Sequence, residues 1–173
     1  MRASRSLMSD RLSNWAMGAC LLVMGIISAQ AADLVPWPQT LTPQATPFEI
    51  DGSTRVVAED ASLAPLAAIV ADEVYMLTGH LPAAVTGTAS SGDIALLLDG
   101  GLSDEQYTIT VGNPAVVSGA NYAATAMGTV TLLQAITGGG GTWEIAGMNV
   151  SDEPALEWRS LSMDLARQWH EID

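Results

Sequence analysis

Gln106-Tyr-Thr-Ile-Thr-Val-Gly-Asn-Pro-Ala-Val-Val-Ser118 reads as two short strands around a turn. Tyr107, Ile109 and Val111 fall on one side and Gln106, Thr108 and Thr110 on the other, the alternation of a half-buried strand. Asn113-Pro114 marks the turn, and residues 115–118 form the next strand. A helix then starts near Asn121 and ends before Gly138, with Tyr122, Ala126, Val130 and Leu133 as its expected buried stripe. Working outward, residues 94–98 are a short apolar strand. Ser62 is placed to cap a helix running to about Thr78, with Leu66, Ile69, Val70, Val74 and Leu77 on one face. Gly79 suits its C-cap and Pro82 blocks its continuation. Phe48–Ile50 and residues 54–58 flank Asp51-Gly52, the signal of a hairpin. The order β, β, α, β, β, β, α predicts the α+β class, two helices packed on a largely antiparallel sheet. The proline-rich residues 33–47 suit an extended leader across the surface, and Gly138 to Gly141 suit a flexible loop.

The amino terminus carries an address. Arg2, Arg5 and Arg11 precede an apolar run over 15–27, and Ser28-Ala29-Gln30-Ala31 is a small-x-small cleavage pattern. Residues 1–31 are therefore expected to be a signal peptide cleaved near Ala31, placing the mature chain in the periplasm or outside the cell. Cys20, the single cysteine, would leave with it, so the mature chain has no disulfide, thiol nucleophile or cysteine metal site. Cleavage would take the net charge from −13 to −15, three arginines against eighteen carboxylates. Such a surface repels nucleic-acid phosphates and anionic lipid, so neither nucleic acid nor membrane is an expected partner after cleavage.

Several kinds of chemistry are excluded. No Lys-Ser or Lys-Thr follows Gly141, so the glycine run is no phosphate loop. His80 and His170 lie far apart and in no paired metal motif, and His80 is expected in a solvated connection after the first helix. No Gly-x-Ser-x-Gly elbow occurs, and no cofactor is implied. The pairs Asp72-Glu73, Asp104-Glu105 and Asp152-Glu153 read as turn or surface carboxylates, because adjacent residues on a strand face opposite ways.

The last stretch is different. After a turn at Asp152-Glu-Pro154 comes Trp158-Arg-Ser-Leu-Ser-Met-Asp-Leu-Ala-Arg167. Two of the mature chain's three cations, Arg159 and Arg167, flank Asp164 there, which looks like the opening of a substrate pocket. With the entry phrase Leu34-Val-Pro-Trp-Pro-Gln39, the strand Glu105-Gln-Tyr-Thr-Ile-Thr-Val111 and Gly128-Thr-Val-Thr-Leu-Leu-Gln134, this order of phrases resembles the non-catalytic N-terminal domain of glycoside hydrolase family 20, the β-N-acetylhexosaminidases. The resemblance covers essentially the whole mature chain. It implies a family-20-like domain over 32–151, then, over 152–173, the start of a (β/α)8 catalytic barrel whose remainder is not present. Arg159 matches the arginine that binds sugar hydroxyls, a role suited to a rigid fork of donors. Asp164 and Arg167 match positions that support the pocket, and Ser160 stands where the family has glycine.

The family removes terminal non-reducing N-acetylhexosamine from chitin-type oligosaccharides and glycans by substrate-assisted retaining hydrolysis. Its catalytic Asp-Glu pair lies in a His-x-Gly-Gly-Asp-Glu context that none of the three pairs here shares. The resemblance thus implies part of an exported glycosidase, inactive by itself, with an N-acetylhexosamine-containing oligosaccharide and the missing barrel as partners. The alternative is a non-catalytic carbohydrate-binding or interaction module.

Overall fold

The computed structural model describes residues 33–156 and Ser160. Ten strands and two helices follow one another as β1 (Thr40–Pro43), β2 (Phe48–Ile50), β3 (Arg55–Ala58), α1 (Ala64–Thr78), β4 (Ala83–Thr86), β5 (Asp93–Leu98), β6 (Tyr107–Thr110), β7 (Ala115–Gly119), α2 (Tyr122–Gln134), β8 (Ile136–Gly139), β9 (Thr142–Ile145) and β10 (Met148–Asp152). Seven strands form one sheet in the order β1-β10-β6-β7-β5-β3-β4, and β2-β9-β8 form a smaller one. Five pairings are antiparallel and three parallel, the parallel ones being β4 on β3, β3 on β5 and β5 on β7. The α+β class with two helices on a largely antiparallel sheet holds, and the large sheet has a mixed centre, with α1 lying on β3 and β4 and α2 on β7 and β6. That centre explains why residues 93–96 are an unbroken buried run instead of an alternation: a parallel strand is covered on both faces.

β6 alternates as its sequence predicts, with Tyr107 and Ile109 buried and Thr110 exposed. Asn121 caps α2 by accepting from the Ala124 amide at 3.0 Å. Gly79 ends α1 in the left-handed region (φ 78°), where glycine carries no Cβ penalty.

Four expectations need correction, three of them in turns and caps. Asp51-Gly52 is a turn, but β2 and β3 do not form a hairpin: β2 pairs with β9 and β3 with β4 and β5. The Asp51 carboxylate, accepting from the Ser53 and Thr54 amides, bends the chain from one sheet into the other. Asp60, not Ser62, provides the cap before α1: it accepts from the Ser62 amide at 2.8 Å and opens a single 3-10 turn over Ala61–Leu63. Gly138 to Gly141 are not a loop between elements but the tip of the β8–β9 hairpin, and all four have positive φ.

The helix faces are the largest correction. α1 buries Leu66, Ala67, Val70, Ala71 and Val74, leaving Ile69 and Leu77 exposed. α2 buries Ala124, Thr125, Gly128, Thr129, Thr131 and Leu132, so Tyr122 and Val130 point outward and Ala126 and Leu133 are only partly covered. Close approach decides which face goes in. A Cβ on Gly128 would lie 2.7 Å from Val117 Cγ1, and one on Gly119 would lie 2.6 Å from Thr125 Oγ1. Small residues thus let α2 lie directly on β6 and β7, with Leu132 buried beside them, while Tyr122 and Val130 face away.

Candidate functional site

Arg159, Asp164 and Arg167 lie outside the described residues, as do the cleavage region and His170. The structure does describe the junction that leads to them. Entry and exit of the chain meet there, although they are more than one hundred residues apart. The Gln39 amide donates to Asp152 Oδ1 at 3.0 Å, and Gln39 Nε2 donates to the Glu153 carbonyl at 3.1 Å. The Val35 amide donates to Gln134 Oε1 on α2 at 2.8 Å, and Ser103 Oγ donates to Glu153 Oε2 at 2.7 Å.

Tyr107 lies at the centre. Its ring packs under Gly128, and its hydroxyl donates to Asp152 Oδ2 at 2.8 Å while sharing a 2.8 Å hydrogen bond with Thr131 Oγ1. One phenol therefore joins β6, α2 and the last residue of β10. Burial pushes this phenol up to about 12, and the neighbouring Asp152 carboxylate works in the same direction, against the Thr131 hydrogen bond. Asp152 is therefore more than the surface carboxylate expected of it: it is half-buried and fastens the start of the exit segment. Tyr107 and Asp152 both lie in conspicuous stretches of the sequence, but no periodicity pairs a strand residue with another 45 positions away.

Tyr107→Phe is expected to cost about 1 kcal/mol of stability, the usual value of one hydrogen bond, with the fold retained. It should also abolish the last phenolate step in an ultraviolet pH titration. A raised folded pKa means that this stabilisation is complete below about pH 10 and is lost as pH climbs toward 12. A titration unchanged by the substitution would refute the buried assignment.

A groove of about 410 Å³ opens beside this network, walled by Val35, Tyr107, Met127, Val130, Asp152 and Leu156. A second cleft, about 440 Å³, borders the small sheet and contains His80, Trp143, Glu49, Asp51 and Glu144. Glu49 and Glu144 face each other across β2 and β9. His80 lies in the connection after α1, as expected, and is half-buried. Trp143 packs against the core, beneath the glycine tip.

No group of three or more His, Cys, Asp or Glu side chains is placed to hold a metal ion among the described residues. None of the Asp-Glu pairs is an acid/base dyad in this geometry. Asp72 and Glu73 are exposed on α1, Asp104 and Glu105 precede β6, and Asp152 is already hydrogen-bonded twice. Arg55, the one cation among the described residues, is committed to Asp93 through a double hydrogen bond of 2.8 and 2.5 Å. Among the described residues, the hydrogen bonds from Gln39 and Tyr107 define a junction between the entry and the exit of the domain.

Residues 31–153 match the family model described as glycosyl hydrolase family 20, domain 2, and the chain belongs to this family. Among its relatives is a β-N-acetylhexosaminidase of Cellulomonas fimi, 30% identical over 148 residues, a match that covers 81% of this chain and 30% of that one. The fold is similar to the family 20 β-N-acetylhexosaminidase of Streptomyces coelicolor A3(2), with a TM-score of 0.70 at 27% identity over 82% of this chain and 30% of that one. It is also similar to an exo β-N-acetylglucosaminidase of Vibrio harveyi solved with N-acetylglucosamine, with a TM-score of 0.71 at 19% identity, covering 82% of this chain and 22% of that one. The chain thus spans about a third or less of these proteins' lengths.

Proposed function

We propose that this chain is the N-terminal, non-catalytic part of an exported β-N-acetylhexosaminidase. The observation that carries the reading is the family match over 31–153 together with the limited share of each relative that it covers. In this reading the complete enzyme removes terminal non-reducing N-acetylhexosamine by substrate-assisted retaining hydrolysis, in which the sugar's 2-acetamido oxygen attacks the anomeric carbon. The acid and the orienting aspartate belong to the barrel. Arg159 holds sugar hydroxyls at the bottom of the pocket, and Asp164 and Arg167 support it. Residues 1–31 direct export and are removed near Ala31. The Tyr107–Asp152 clamp, immediately before this segment, sets where the barrel begins.

Hydrolysis of a chromogenic N-acetyl-β-glucosaminide tests the reading, comparing residues 32–173 with the product of the longer reading frame. Activity is expected in the longer protein alone. Turnover by residues 32–173 would show that the catalytic groups had been misplaced, and two inactive proteins would shift the reading to a binding module.

A further inference from the structure

Asp152 is the last rung of the large sheet on its exit side. β1 reaches only Ser151, through Thr40, so at Asp152 the strand β10 keeps a single neighbour, with Tyr107 of β6 directly opposite. Side chains take over where the ladder ends. The Gln39 amide donates to one carboxylate oxygen of Asp152 and the Tyr107 hydroxyl to the other, at 3.0 and 2.8 Å. Gln39 Nε2 then holds the Glu153 carbonyl, and Ser103 Oγ holds its carboxylate. Two consecutive residues are thus tied to β6, to the loop before it and to the entering chain. The ties through Gln39 and Ser103 lie at the exposed surface, where the net gain of a hydrogen bond is small. So much fastening at one spot fixes a direction more than it stabilises the domain.

That direction is the heading on which the chain leaves. Pro154 follows Asp152 by two positions, and its ring fixes its own φ and restricts Glu153 to extended backbone. A heading set at Asp152 therefore passes through Glu153 and Pro154 with little loss. Pro154, Ala155 and Leu156 then run along the groove that Tyr107 and Val130 also line. Arg159 stands five residues after Pro154, a reach of at most roughly 17 Å. A rotation of a few degrees at the origin displaces a point that far along by about 1 Å. A rigid fork of donors loses well-aligned hydrogen bonds over such a distance.

We infer that Tyr107 is a positioning residue for substrate binding: its hydroxyl, through Asp152, aims the exit segment so that the Arg159 guanidinium meets the sugar hydroxyls. The inference rests on the proposed function, in which Arg159 holds those hydroxyls. Tyr107 itself acts at a distance, because its ring packs beneath Gly128 and its hydroxyl is committed to Thr131 and Asp152. Phenylalanine at this position keeps the ring contacts and gives up only the hold on Asp152. The substitution therefore separates packing from aim.

Steady-state hydrolysis of a chromogenic N-acetyl-β-glucosaminide by the longer product tests this with Tyr107→Phe, Arg159→Ala and the double variant. Tyr107→Phe is expected to raise KM about tenfold, the worth of one charge-assisted hydrogen bond, and to leave kcat within about twofold. A group that holds the ground state and the transition state alike moves KM and not kcat. The double variant should show the KM of Arg159→Ala alone, because the clamp acts through a side chain already removed. Asp152→Ala cuts the clamp from its other end and should reproduce the rise in KM, which keeps the test open if Tyr107→Phe melts below the assay temperature. An unchanged KM in both clamp variants, or a KM raised by the same factor with and without Arg159, would overturn the inference and leave the proposed function standing. A parent that hydrolyses nothing would instead remove the proposed function, and the inference with it.

Discussion

Gly119→Ala is expected to lower stability by about 3 kcal/mol, at the upper end of what overpacking costs. Two effects of opposite sign meet at this position. Alanine is less entropically costly than glycine within a strand, a gain of roughly 0.5–1 kcal/mol. Against it, the new methyl would lie 2.6 Å from Thr125 Oγ1 and 2.7 Å from the Ala124 carbonyl carbon, with the Thr125 amide also in its way. These atoms belong to the first turn of α2, anchored by the Asn121 cap and by Thr125 Oγ1 donating to the Asn121 carbonyl at 2.9 Å. Backbone cannot rotate aside as a long side chain can, so the clash decides the sign. For a domain of this size the loss corresponds to a fall of about 10 °C in Tm. Gly100→Ala, whose methyl would meet nothing within 4 Å, should stay within about 0.5 kcal/mol of the parent. Equal melting of the two variants would disprove the seating of α2 on β7.

Asp93→Asn should cost about 2 kcal/mol, because a side chain only 3% exposed loses its charge while its donors remain. Those donors are the Arg55 guanidinium, the Ser90 amide at 2.7 Å and the Ser90 hydroxyl at 3.0 Å. Arg55 and Asp93 are direct neighbours in the register of β3 and β5, so the pair fixes the alignment of two central parallel strands. The guanidinium holds the Asp93 carboxyl below the ordinary carboxylate range, with the Ser90 hydrogen bonds assisting and burial opposing. A depressed folded pKa means that the stabilisation is present above the unfolded value of 3.8 and fades as pH falls through the folded one. Denaturant midpoints taken from pH 6 down to pH 2 should therefore fall less steeply below about pH 4 in Asp93→Asn than in the parent. Parallel curves would show that the pair contributes nothing to acid sensitivity.

The elements with a local cause were legible in the sequence. β6 follows from its strict alternation, the end of α1 from Gly79, and the start of α2 from Asn121. Asp51-Gly52 shows how far such signals reach: the turn formed, but its two strands went to different sheets. Local chemistry bends a chain without choosing the partner of either arm. β1 and β10 carry weak strand signals, yet they pair with each other across the sheet edge, Leu41 opposite Val150. That pairing closes entry onto exit and exists only once the rest of the sheet is in place.

By itself, then, the sequence determined the class of the domain and its family phrases, because each rests on neighbours along the chain. Only the tertiary structure decided which face of each helix goes inward. Both faces of α2 are apolar enough to be buried, and period alone cannot rank them. Gly119 and Gly128 rank them by allowing contact closer than any larger side chain permits. The same contact turns Tyr122 and Val130 outward and brings Tyr107 to Asp152, so it shapes both the exposed face of α2 and the clamp at the exit.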